Sequence, residues 1–292
     1  MLSLTVLFYC VKKMPRVIVG ILNVITIFLL VFLLLGTYNT SHTSTYLTRF
    51  KFNPESPLFN VITSSLESSN STRNLQNVEI TSGYLGVCIQ NLPKSYSTES
   101  SVCFNRKKIS TVDLYDQLAV KVFNFKSTNS TDNSQSSALN ILDLAQTLSV
   151  NTNHPYLLMA TIIMSIAMFG LTLYATIPKL PAKFYINRFL LLLSPLLALI
   201  WGLGSMWAHV AMHSATELIP RASMGIINAN SSPKASSMAW CSFAFMCINC
   251  LIIWAIYFRD RASLSRKVDD VNSRSTCSHK YPSDNSLSSY SV

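Results

Sequence analysis

The sequence predicts a membrane protein, mainly α: a four-helix transmembrane bundle carrying a disulfide-braced extracellular β-sheet domain. Three observations predict it. Four apolar stretches of 20 or 22 residues contain no Asp, Glu, Lys or Arg. Net positive charge gathers on one side of these stretches, and two cysteines, Cys88 and Cys103, stand alone on the other. Composition agrees, since 49% of the 292 residues are apolar and only 12% are charged. Seven cysteines in a chain of this length do not make a disulfide-stapled mini-domain.

Residues 1–16 form a cytosolic amino terminus, and the first span follows from Val17 to Gly36. A helix needs about 20 residues to cross the hydrocarbon of a bilayer. A soluble core helix of that length would carry a polar stripe, and none of the four stretches does. The first apolar run is longer than a signal-peptide core and no small-x-small site follows it, which favours an uncleaved signal-anchor.

The segment from Thr37 to Pro155 is a single outer loop of 119 residues, too long to be structureless in a compact protein. Tyr46 to Asn53 alternates in strand fashion, and Asn77 to Gln90 is rich in β-formers. Asn91-Leu92-Pro93 signals a turn, and Ser101 to Asn105 supplies a returning strand. A Ser/Thr/Asn-rich stretch from Phe123 to Ala138 reads as flexible. Beyond it, Ala138, Leu139, Ile141, Leu142, Ala145 and Leu148 recur at helical spacing. Cys88 and Cys103 are the cysteines on the oxidising side, with a turn signal between them, so a disulfide bracing a β-hairpin is the natural reading. Zinc is disfavoured because no His lies near the pair. Gly83 and Gly86 just before Cys88 imply that the strand lies tightly against another backbone or against the membrane-facing sheet.

The second span runs from Tyr156 to Ile177, a cytosolic link covers 178–188, and the third span runs from Phe189 to Val210. Within it, Ser194, Ala198 and Gly202 form a small-residue face at four-residue spacing, suited to packing inside the bundle or, as a sharper reading, to a dimer face. An outer loop covers 211–236, the fourth span Ser237 to Phe258, and a Ser-rich cytosolic tail 259–292 reads as disordered. Cys241, Cys247 and Cys250 inside the fourth span read as small apolar filler rather than a metal or redox pair.

Orientation follows from the basic residues. With the amino terminus inside, the cytosolic segments hold 12 basic and 4 acidic residues, a surplus of +8. The outer loops hold 11 basic and 9 acidic, leaving +2 of the total +10. The charge is therefore mostly a topology signal, and nucleic-acid binding is excluded. All four Asn-x-Ser/Thr sequons, at Asn39, Asn70, Asn129 and Asn230, fall on the outer side, where glycosylation occurs. Asn70 and Asn129 are the preferred acceptors. Asn39 sits three residues past the first span, and Pro233 just beyond the Asn230 sequon weakens that site.

The run Gly83-Tyr84-Leu85-Gly86-Val87-Cys88, followed by Cys103, resembles the fungal variant of the claudin signature. With four spans, a large first outer loop and cytosolic termini, the chain resembles the fungal mating-induced calcium regulator and membrane fusion proteins of the claudin-like four-span superfamily. The resemblance implies a plasma-membrane protein, at the mating projection or cell contact zone, that regulates low-affinity calcium influx and fusion between mating cells. It implies as partners membrane lipid, calcium-channel components, or the same protein on itself or on a mating partner, with calcium the transported or regulatory ion and no cofactor. All four Trp lie in the third and fourth spans, unlike the loop Trp of animal claudins, so barrier function is not implied.

No Ser-His-Asp or metal-ligand cluster can be assembled from the sequence, which reads as a non-enzyme with no metal site. Two competing readings stand beside the resemblance: a calcium-conducting channel subunit, and a structural four-span protein of cortical, eisosome-type membrane domains. The absence of carboxylates from the spans counts against an acidic intramembrane filter.

Overall fold

A computed structural model describes residues 4–38, 44–60, 63–64, 75–93, 100–105, 119–123, 137–147, 155–177 and 183–277. Helix α1 spans Leu4–Leu35. After it come strands β1 (Thr48–Phe52), β2 (Glu79–Ser82), β3 (Gly86–Gln90), β4 (Ser101–Asn105), β5 (Ala119–Phe123) and β6 (Ser137–Asn140). Helix α2 covers Ile141–Thr147, α3 Pro155–Thr176 and α4 Lys183–Ala222. Strand β7 (Ile227–Ser231) and helix α5 (Pro233–Cys277) complete the order. Among the described helices, α1, α3, α4 and α5 are long and apolar enough to cross a membrane.

These four helices pack as a ring, with α1 and α4 each lying against both α3 and α5. Only helices and closed barrels satisfy every backbone group inside hydrocarbon, so uncharged 20-residue runs are driven into this form. Leu30, Leu158, Leu197, Trp201 and Met246 belong to the cluster in the interior of the ring. Leu192, Leu199, Leu203 and Leu251 point outward, as a lipid-facing surface requires.

At one end of the ring sits an antiparallel sheet of order β4-β3-β2-β1-β7. A second core fills one of its faces, where Phe50, Ile80, Val87 and Ile89 meet Ile141, Leu142 and Ala145 of α2. Strands β5 and β6 form a separate two-stranded ribbon.

Several elements differ from the sequence expectation. The stretch from Asn77 to Gln90 is a hairpin of two strands, turned at Gly83 to Gly86, because its β-formers are interrupted there. The helix expected from Ala138 starts only at Ile141; Ala138 and Leu139 pair with Lys121 and Val120 as part of β6. Residues 211–236, expected to be a loop, continue α4 to Ala222 and then return as β7, paired with β1 from Thr48↔Ser231 to Phe52↔Ile227. The turn between them uses Met224 and Gly225 at φ 53° and 77°. The tail, expected to be disordered from 259, continues α5 to Cys277. In both places hydrophobicity ends where the lipid would end, while the helix does not. Extending an existing helix avoids the nucleation cost, so polar sequence suffices to propagate it.

Candidate functional site

The residues singled out around Cys88 converge where the sheet meets the bundle. Cys88 and Cys103 are direct cross-strand partners on β3 and β4, with Cα atoms 4.0 Å apart, and they are joined by a disulfide. Cys88 is fully buried. On the same face of β3 lies Gly86, and the residue pressed against both is Thr37, two positions beyond the end of α1.

Thr37 makes this junction in three ways. Its hydroxyl donates to the Gly86 carbonyl at 2.9 Å. Its own carbonyl oxygen lies 3.3 Å from the Cys88 sulfur, a contact without a shared proton because that sulfur is in the disulfide. A methyl group at Gly83 would run into the Thr37 side chain, and one at Gly86 would lie 2.7 Å from the Thr37 carbonyl oxygen and 2.8 Å from that of Phe104. Neither glycine has a positive φ. What demands glycine here is therefore close approach, not turn geometry.

The turn itself is closed by the Gly83 amide donating to the Gly86 carbonyl at 3.0 Å. Tyr84 at its tip is 5% exposed and belongs to the apolar cluster of the helical ring, not to that of the sheet. Burial pushes its phenol well above the ordinary tyrosine range, so the ring enters the bundle as a neutral group. Leu85 completes the turn. The Gly83–Cys88 segment is thus a plug that seats the sheet on the bundle. Close by, the Leu47 amide donates to the Ser82 carbonyl at 2.8 Å, and the Ser82 hydroxyl donates to the Ala145 carbonyl of α2 at 3.2 Å.

The small-residue face of α4 is turned inward. Ser194 and Ala198 are buried, and a methyl at Gly202 would meet the Phe243 ring of α5 at 2.8 Å. Asn230 lies exposed on the edge strand β7. Asn39, Asn70 and Asn129, the Ser/Thr/Asn-rich residues 124–136 and the chain end from 278 lie outside the described residues. Among the described residues no three His, Cys, Asp or Glu side chains come together as a metal cluster.

Sequence reasoning missed three features. Trp201 is fully buried and donates through Nε1 to Ser242 Oγ at 2.8 Å and to the Ala239 carbonyl at 3.2 Å, tying α4 to α5. Arg16 donates to the Ala175 carbonyl at 2.9 Å and pairs with Asp260 at 3.4 Å, clasping α1, α3 and α5 at the end opposite the sheet. Strand β7 extends the sheet from the far side of the chain. For Trp201 and Arg16 the available signal was chemical type alone, an indole N–H inside a span and a guanidinium at the edge of one, each needing an acceptor that the sequence does not name. For β7 the five-residue run was too short and too polar to stand out.

A family model described as "Ca2+ regulator and membrane fusion protein Fig1" matches residues 64–259, a range that contains the whole Gly83–Cys103 motif. The Factor-induced gene 1 protein of Saccharomyces cerevisiae is 45% identical over 293 residues, covering 98% of this chain and 98% of that protein. No solved structure matches the chain.

Proposed function

The chain belongs to the Ca2+ regulator and membrane fusion protein family, and on that premise we propose that it acts through a sheet held outside the cell and seated on the bundle by the Gly83–Cys88 plug. It is a membrane protein that regulates Ca2+ and membrane fusion. The setting we assign is the plasma membrane of mating fungal cells, at the contact zone, where it regulates low-affinity calcium influx and cell fusion. The proposed topology places both termini in the cytosol, in keeping with the surplus of basic residues at the end of the bundle that carries them. The sheet with its single bridged pair supports a claudin-like relationship, which remains our reading of the fold.

The observation that carries the proposal is the junction at Thr37. A disulfide-braced sheet free to move on a flexible tether could not report to the membrane. Here the motif inserts Tyr84 into the helical core, so a force or partner acting on the sheet is transmitted to the end of α1. The partners we infer are membrane lipid together with calcium-channel components or a second copy of the chain, on the same cell or on the mating partner. Calcium is then the regulated ion and no cofactor is needed. The chain is read as a non-enzyme, in line with a family described as a regulator. Deletion followed by calcium-uptake and cell-fusion assays on pheromone-treated cells tests this. Loss of both, restored by the wild-type chain, is expected; normal uptake and fusion in the deletion strain would refute it.

A further inference from the structure

The interior of the helical ring contains four polar side chains with an atom that has no hydrogen-bond partner among the described residues: Asn23 Nδ2, Ser165 Oγ, Ser194 Oγ and Asn249 Oδ1. One comes from each span, and their side chains are sealed from outside, with residue exposures of 1%, 0%, 2% and 1%. Other buried hydroxyls of the spans behave differently. Thr26, Thr161 and Thr172 donate to the carbonyl four residues back, and Ser205 and Ser242 to the carbonyl three back, all at 2.8–3.0 Å. Polar groups buried in hydrocarbon without a partner cost several kcal/mol each, roughly, so four in one core require an explanation.

Their placement supplies one. At the end of the ring carrying the termini lies a cavity of about 60 Å³, lined among others by Arg16, Asn187, Thr172 and Asp260. The Asp260 side chain is half exposed, so the mouth reaches solvent. The apolar lining residues Val19, Leu190 and Ile253 stand four positions from Asn23, Ser194 and Asn249 respectively. Four residues are one helical turn, about 6 Å, and in all three helices that step leads away from the mouth. The orphaned polar layer therefore lies one turn beyond the cavity, with Ser165 about one turn further along α3.

We propose that this layer holds a small cluster of water molecules, supplied through the Arg16–Asp260 cavity, so that the bundle is hydrated to mid-depth from the end that carries the termini. The chemistry of the set selects water. Asn23 offers a donor, Asn249 an acceptor, and the two hydroxyls serve as either, which is the mixed demand that bridging water meets. A bare cation would want oxygen ligands throughout, with carboxylates among them.

The test uses the full-length chain in sealed vesicles, retaining only Cys88 and Cys103 of the native cysteines. A single cysteine is placed at Ser194, at cavity-lining Asn187 or at lipid-facing Leu196. Silver ion, a small water-borne thiol reagent, is added to one side, and the thiols left over are counted by mass spectrometry. From the side of the termini, Ser194→Cys should react within about tenfold of Asn187→Cys and roughly 100-fold faster than Leu196→Cys, because a thiol ionises in water and not in hydrocarbon. Adding Asn249→Leu should slow Ser194→Cys at least about fivefold while leaving Asn187→Cys unchanged, since the water would lose an acceptor. A Ser194→Cys rate equal to that of Leu196→Cys would overturn the proposal, as would reaction only from the sheet side. So would a rate unaffected by Asn249→Leu.

Discussion

Thr37 and the two glycines facing it show how a residue-scale requirement becomes a motif. The Thr37 backbone and side chain occupy the space in which side chains at positions 83 and 86 would otherwise lie. Gly83→Val and Gly86→Val are therefore expected to lift the sheet from α1 by overpacking, at a cost of about 1–3 kcal/mol each. The disulfide should still form, and non-reducing mass spectrometry of the loop peptides reads that directly. Cys88→Ser and Cys103→Ser act by another route. They leave the close approach intact and release the bracing of β3 on β4, worth roughly 3 kcal/mol in the chain-entropy model. Chains lacking the bond should still insert, because insertion depends on the spans, but should be retained or be inactive in fusion and calcium uptake. Full activity in both serine variants would show the bracing to be dispensable. Tyr84 gives a pH test with a definite sign. Its folded pKa is raised by burial, so above the ordinary tyrosine value, about 10, the unfolded chain releases a proton that the folded chain keeps. The stability contribution is whole below that pH and falls by about 1.4 kcal/mol per pH unit above it. Unfolding in detergent, followed from pH 9 to 11, should show this slope in wild type and lose it in Tyr84→Phe.

Among the elements, α4 and α5 are joined by a bond that hydropathy does not reveal. The Trp201 indole is buried against Ser242 and donates to it at 2.8 Å, while both groups also reach the Ala239 carbonyl. A cycle of Trp201→Phe, Ser242→Ala and the double variant should give a coupling of about 0.6 kcal/mol, the average for interhelical hydrogen bonds in a membrane protein, and no more than about 1.7 kcal/mol. Thermal unfolding of the purified chain measures it; additive effects would mean that the bond contributes nothing. The element scale also shows how far the sequence could be read. Uncharged runs such as Val17 to Gly36 report a span because lipid permits no other structure, and Cys88 and Cys103, two cysteines apart from the spans with a turn signal between them, report a cross-strand pair. Periodicity could not show where α4 and α5 stop, since its signal ends with the lipid and the helix continues through polar residues to Ala222 and Cys277. Nor could it show that Ile227 to Ser231 joins β1, whose partner is some 180 residues distant. Strand pairing of that range is set by the closure of the whole fold, and Asn228 and Asn230 are poor strand formers by themselves.

At the scale of the molecule the described residues form two hydrophobic cores, one within the helical ring and one under the sheet, and Tyr84 of the β2–β3 turn, with Leu47 just before β1, belongs to the first. Topology is tested first, since the proposal requires the sheet outside. A carboxy-terminal tag should resist protease added to intact cells, and its digestion would refute the orientation. Transmission between the cores is the stronger test. Tyr84→Ala removes the ring that plugs the bundle, a truncation costing about 3–5 kcal/mol where the site cannot collapse. The loss falls on the junction, because the residues that hold the sheet together are Phe50, Ile80, Val87 and Ile89 with α2 behind them, and none of these is touched. Phe50→Ala, by contrast, opens a cavity in the sheet core itself and should unfold the sheet domain. The two variants should therefore separate folding from coupling. Tyr84→Ala should reach the surface with its disulfide formed and its sheet resistant to protease, yet fail in calcium uptake and fusion, whereas Phe50→Ala should be degraded or retained. Tyr84→Phe, which keeps the ring, should be active at neutral pH. If Tyr84→Ala reaches the surface folded and fully active, the sheet works without being seated on the bundle, and the role assigned to the Gly83–Cys88 plug is wrong.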